Sequence, residues 1–183
     1  MARFRGPYKK KAKKLGLSLE QVFRSRKVSD YGLRLKEKQK AKYIFGVLEK
    51  QFRKYFENSS KNKENTGLIL MQTLERRLDN VVHRLGFAKT RMQARQLVSH
   101  CHVLVSDKLV NIPSFQVEPG QTITLSKKIL ENPHVLEALA QKEEAAAIWL
   151  TRDGIIGKVL RLPQREEMEQ SIDEKLIIEY YSR

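Results

Sequence analysis

The sequence predicts an α+β fold, a mainly helical chain carrying a helix-helix-sheet module of about sixty residues. Three observations point there. Apolar residues recur at helical spacing over residues 33–57 and 66–86. Short β-rich runs bounded by Pro and Gly lie between residues 103 and 125, and helical periodicity returns after Ser171.

Residues 1–28 hold ten Lys and Arg against one acid, so +9 of the total charge of +15 sits on an arm whose apolar residues are too scattered for a core. Such an arm is expected to order only on a partner, although a solvated or targeting segment has the same composition. Over residues 33–57, Ile44, Val47, Leu48, Phe52, Tyr55 and Phe56 fall at helical spacing behind the start signals Ser29 and Asp30, which predicts one long amphipathic helix. Polar residues 58–65 read as a loop. Thr66 then opens a helical region that runs to Gly86 and bends near Arg76. Leu74, Leu78, Val81, Val82 and Leu85 form its buried stripe, leaving Arg76, Arg77, Asn80, His83 and Arg84 available on other faces.

Thr90 is placed to cap a short helix over residues 91–100, with Ala94, Leu97 and Val98 inward. Strands are expected at residues 103–105, 109–112 and 121–125. Asn132-Pro133 starts a helix through Glu144, and residues 147–151 and 155–160 flank Arg152-Asp153-Gly154 as a hairpin. Ser171 with Glu174 fits a capping box ahead of a final helix bearing Leu176, Ile177 and Tyr180.

The chain of 183 residues suits one or two small domains. Its longest apolar run, residues 145–150, falls far short of the roughly 18 residues a membrane span needs, and no apolar core follows the basic start as a secretory signal requires. One cysteine forms no internal disulfide and no Cys-rich zinc site. Phosphate-binding glycine loops, H-E-x-x-H and nucleophile-elbow motifs are all absent, so catalysis is disfavoured and no cofactor is expected. The cationic surplus favours a polyanionic partner, without separating RNA, DNA and anionic lipid.

Residues 74–100 hold the strongest candidate site. Two helices meet at Gly86, and the second begins beside Lys89, Arg91 and Arg95, so its unpaired N–H groups and two guanidinium forks suit a phosphate. Arg91 and Arg95, four residues apart, share a face; ordinary solvated charges would look the same by spacing alone. Few aromatic residues stand nearby, which favours recognition of folded RNA by shape and backbone. His100-Cys101-His102 is the rival, as a metal site. In an extended segment the two histidines face one side and Cys101 the other, so no metal site is expected.

The stretches KVSDYGLRLKEKQKAKYIFGVLEKQFRKYF, LERRLDNVVHRLGFAKTRMQARQLVSH and NIPSFQVEPG, with the opening MARFRGP and the closing GKVLRLPQRE and EKLIIEYYSR, resemble the S4 family of bacterial-type small-subunit ribosomal proteins. The resemblance covers nearly the whole chain. It implies a basic rRNA-binding arm over residues 1–28, a helical domain of residues 29–76 plus 166–183, and an inserted RNA-binding domain over residues 77–165 with its core module at about 76–137. It further implies early binding at a junction in the 5′ domain of small-subunit rRNA, contact with ribosomal protein five, and a place near the mRNA entrance channel of a bacterial cytoplasmic or organellar ribosome. The implied rRNA contacts are Arg3, Arg5, Lys9, Lys10, Arg76, Arg77, Arg84, Lys89, Arg91, Arg95 and His100, and the implied mRNA-facing patch is Arg24, Arg26 and Lys27.

Departures from the family pattern are visible. The Cys cluster many members carry ahead of SDYG is missing, so a family zinc site does not transfer. Cys101 stands where Gly is common, Ser106-Asp107 replaces an Asn-Gly turn, and His83 replaces a Tyr. Two other classes use the same module: an RNA-modifying enzyme, for which too few residues flank it, and a free-standing RNA chaperone, which gives no reason for the SDYG and EYYSR motifs.

Overall fold

Ser29 Oγ accepts a hydrogen bond from Gly32 N at 3.2 Å and starts helix α1 (Asp30–Ile44), the side-chain cap expected of a serine at a helix start. In the computed structural model, which describes residues 29–62, 65–140 and 148–182 with positions 12, 15 and 16, the single helix expected over residues 33–57 is two. Gly46 takes φ +60°, a left-handed conformation that a side chain disfavours, and the chain restarts as α2 (Glu49–Ser59). Phe45 and Val47 are buried at the break, so the interruption is itself packed.

The second helical region is likewise broken where a bend was expected. Helix α3 (Thr66–Glu75) ends, Arg77 is extended (φ −62°, ψ 134°) and bridges Gln116, and α4 (Leu78–Arg84) follows. Gly86, at φ +73°, stands just beyond its end. Thr90 Oγ1 then accepts from Gln93 N at 3.2 Å and opens α5 (Arg91–Ser99).

Strands β1 (Val103–Val105), β2 (Lys108–Leu109) and β3 (Thr122–Leu125) precede helix α6 (Pro133–Ala140), strands β4 (Leu150–Asp153) and β5 (Ile156–Val159), and helix α7 (Glu174–Tyr181). The second strand is shorter than expected and begins one residue earlier. All five join in one antiparallel sheet of order β2-β1-β3-β5-β4. Val105 pairs with Lys108, and Ser106 and Asp107 between them both take positive φ, the conformation of a two-residue type I′ turn. The last hairpin turns at Gly154-Ile155, one residue later than expected, because Asp153 pairs with Ile156. Asp173 caps α7, its Oδ1 accepting from Lys175 N at 2.9 Å. The capping box expected at Ser171 and Glu174 lies instead at Gln164 and Glu167, around a 3-10 turn.

The chain divides into two compact units, Met1–Leu70 with Glu169–Arg183, and Met71–Met168. In the first, Arg34 Nε meets Glu179 Oε2 at 2.7 Å, tying α1 to α7. Glu49 accepts from Lys42 at 2.6 Å, Lys38 at 2.9 Å and the Tyr181 hydroxyl at 2.9 Å. Partial burial works against its charge, yet these three donors hold its pKa at about 2. Lys38 Nζ also lies 4.0 Å from the Tyr180 ring centre, and the Tyr181 ring stacks on Phe56 at 4.5 Å.

In the second unit α4 and α5 cover one face of the sheet. Leu78, Val82, Leu85, Leu97 and Val98 join Val103, Ile123, Trp149 and Val159 in a common core, each fully buried Leu or Val contributing about 1.5–3 kcal/mol relative to exposure. A Cβ on Gly157 would run into the buried Leu85 side chain, so any larger residue there forces Leu85 to shift where β5 passes α4. No described helix is long and apolar enough to cross a membrane.

Candidate nucleic-acid interface

Two buried carboxylates organise the arginines around the α5 start. Asp79, in the first turn of α4, is 4% exposed and accepts from Arg77 Nε at 3.0 Å and Nη2 at 2.7 Å, while Arg95 Nε reaches it at 3.1 Å. Glu75, fully buried at the end of α3, accepts from Arg84 Nη2 at 2.7 Å and from Asn80 Nδ2 at 2.6 Å. Asn80 Oδ1 in turn accepts from Arg91 Nε at 2.8 Å. Buried charge is tolerated only when paired and hydrogen-bonded, and both conditions are met here.

The consequence is a set of guanidinium groups held in place yet partly open to solvent. Arg84 and Arg95 keep 23% and 32% of their side chains exposed, and Arg91 is half-buried. They stand around the first turn of α5, where helix N–H groups and the positive dipole end favour an anion. Exposed Lys89 ion-pairs with Glu137 of α6. The structure therefore brings Arg84, Lys89, Arg91 and Arg95 to one region.

Other expected residues are placed differently. Arg77, read from helical periodicity as available, is 1% exposed and turned to Asp79, and Asn80 is 2% exposed. The correction has a tertiary cause: segment 113–117 covers this turn, with Leu78 N donating to Phe115 O at 2.9 Å and Arg77 bridging Gln116. Arg76 is half-buried, its Nε donating to Val117 O at 2.8 Å. His100 is exposed just past the opposite end of α5. Arg3, Arg5, Lys9, Lys10, Arg24, Arg26 and Lys27 lie outside the described residues.

Burial pushes the His83 imidazole below its usual range, opposed by the bond between its Nδ1 and Ala88 O at 3.1 Å. Among the described residues no group of three His, Cys, Asp or Glu stands where it could hold a metal ion.

Sequence reasoning missed the anchors. Glu75 and Asp79, four apart on either side of Arg76-Arg77 in LERRLDN, were the available signal. It also missed Arg152, read as a turn residue, which donates to Leu85 O at 3.0 Å and Leu139 O at 2.8 Å and so satisfies carbonyls at the ends of α4 and α6.

An α+β module with a five-stranded antiparallel sheet and a cationic helix start belongs to the RNA-binding S4 class: the family profile described as S4 domain matches residues 76–123. The profile described as Ribosomal protein S4/S9 N-terminal domain matches residues 4–75. Proteins named small ribosomal subunit protein uS4 are similar along most of the chain. That of Parabacteroides distasonis is 45% identical, covering all of both chains. Those of Aquifex aeolicus and Dictyoglomus turgidum are 52% and 51% identical over 87% and 86% of this chain and 79% and 77% of their own. The chain belongs to the small ribosomal subunit protein uS4 family, whose members are ribosomal proteins and not enzymes.

Proposed function

We propose that this protein binds the 5′ domain of small-subunit rRNA early in assembly, clamping a multi-helix junction of a bacterial cytoplasmic ribosome. The observation that carries this reading is the anchoring of Arg84, Arg91 and Arg95 by Glu75, Asn80 and Asp79. A guanidinium already fixed by a buried partner loses little freedom when it takes a phosphate, so its contact is stronger than that of a free surface lysine. Segment 77–165 acts as the inserted RNA-binding domain, with Arg76, Lys89 and His100 adding contacts and Arg77 supporting through Asp79. The arm contributes Arg3, Arg5, Lys9 and Lys10. Arg24, Arg26 and Lys27 face mRNA at the entrance channel, and the helical domain of residues 29–76 plus 166–183 meets ribosomal protein five, through which the protein contributes to translational accuracy.

The test is Arg91→Ala with Arg95→Ala in a salt titration against 5′-domain rRNA. If six to ten phosphates are neutralised, parent affinity falls by roughly 10³ to 10⁵ between 50 and 200 mM salt. Each lost charge-assisted contact should weaken binding by about 1.5–3 kcal/mol and lower the salt slope by about 1. Because Arg95 also pairs with Asp79, the double variant should lose thermal stability as well. Unchanged affinity and slope would put the phosphate site elsewhere.

A further inference from the structure

Helix α5 carries a second polar face. Gln93, Gln96 and His100 recur at spacings of three and four, on the flank of the buried stripe away from Arg91 and Arg95. With His102, Asn132 and His134 they border a cavity of about 230 Å³. Its floor is apolar, formed by Leu97, Ile129 and Val135, which are 6%, 9% and 1% exposed. Among the described residues no hydrogen bond engages the side chains of Gln96, His100 or His134.

The chemistry of this wall narrows the ligand. No Lys or Arg lines it, which disfavours a phosphate, and the described histidines form no metal-binding group. Side-chain amides offer a donor and an acceptor side by side, the pattern presented by the edge of a nucleobase, and imidazole rings offer a flat face for stacking. An apolar floor suits the ring of such a base. Exposed Lys127 and Lys128 immediately precede the floor residue Ile129, so cations stand next to the base site and not in it. Met92, 66% exposed, lies between this face and the Arg91 and Arg95 face, giving a strand that contacts both an apolar surface to cross.

We propose that the cavity bordered by Gln96, His100 and His134 takes one unstacked nucleobase of the bound RNA, so that the module reads one base beside the phosphates it grips. This rests on the rRNA-binding reading above. The experiment uses the full chain with the 5′-domain transcript, comparing the parent with Gln96→Ala plus His134→Ala, both exposed positions outside the arginine cluster. Affinity should fall about ten- to a hundredfold, the range for loss of one stacked base, with the salt slope unchanged. Chemical probing of Watson–Crick edges should show one nucleotide protected by the parent and reactive with the variant. Gln96→Glu, which replaces an amide by an acceptor-only carboxylate, should release the same nucleotide. Unchanged affinity and protection would empty the cavity of any base while leaving the rRNA reading intact. A lowered slope would mean that a phosphate lodges there, which also overturns the proposal. A parent that fails to bind the transcript overturns both readings.

Discussion

Both units gather cations around carboxylates, but at different depths. Glu49 in the helical unit keeps 46% of its side chain exposed and draws Lys38, Lys42 and Tyr181 inward around itself. Glu75 and Asp79 in the other unit are buried, and the arginines they hold lead outward to solvent. The first arrangement fastens α1, α2 and α7 to one another. The second spends desolvation free energy to make surface cations rigid, an outcome that an exposed ion pair, worth about 0–1 kcal/mol, does not produce.

The sharpest way to break the comparison is Asp79→Ala. It leaves the Arg77 guanidinium buried with its main partner gone, and removal of one member of a buried pair costs about 3–5 kcal/mol. Denaturant unfolding should show that loss; a change below about 1 kcal/mol would mean that Asp79 is no anchor. Gly157→Ala asks whether the same unit depends equally on apolar closeness. The added methyl would press on the Leu85 side chain, and overpacking of this kind costs about 1–3 kcal/mol in the same measurement. An unchanged midpoint would show that Leu85 simply moves aside.

The smallest effect is expected at Glu49. Its folded pKa of about 2 lies below the ordinary 4.5, so its contribution is complete above pH 4.5 and is lost as pH falls toward 2. Glu49→Gln should therefore be less stable than the parent near pH 6, with the two melting curves converging toward pH 2. A gap that persists at pH 2 would assign the difference to packing and not to charge.

Local features were the legible ones. Ser29 and Thr90 act as caps because capping depends on a few neighbouring residues, and the Arg91 and Arg95 face follows from helical spacing. The break at Gly46 was hidden because apolar spacing continues through it, to Phe45 and Val47, which pack at the turn. Ser171 lost the cap of α7 to Asp173, two residues on. Arg77 and Asn80 looked available because periodicity describes an isolated helix, whereas residues forty positions later in the chain cover this turn. The arginine face could thus be read from sequence, whereas its anchors left only the spacing of Glu75 and Asp79 as a signal, and their burial depends on residues 113–117 far along the chain.

The division of the chain also sets an order in time. Arg34 and Glu179 are separated by 145 positions, and at the usual synthesis rate of about 5–20 residues per second the first waits roughly 7 to 30 seconds for the second. During that interval all of Met71–Met168 emerges as one uninterrupted stretch. The unit carrying the arginine cluster can therefore complete its native contacts on the nascent chain while α1 still lacks its partner helix. Closing the helical unit is left to the segment after Glu169, so the unit whose first residues are made first is the later of the two to fold.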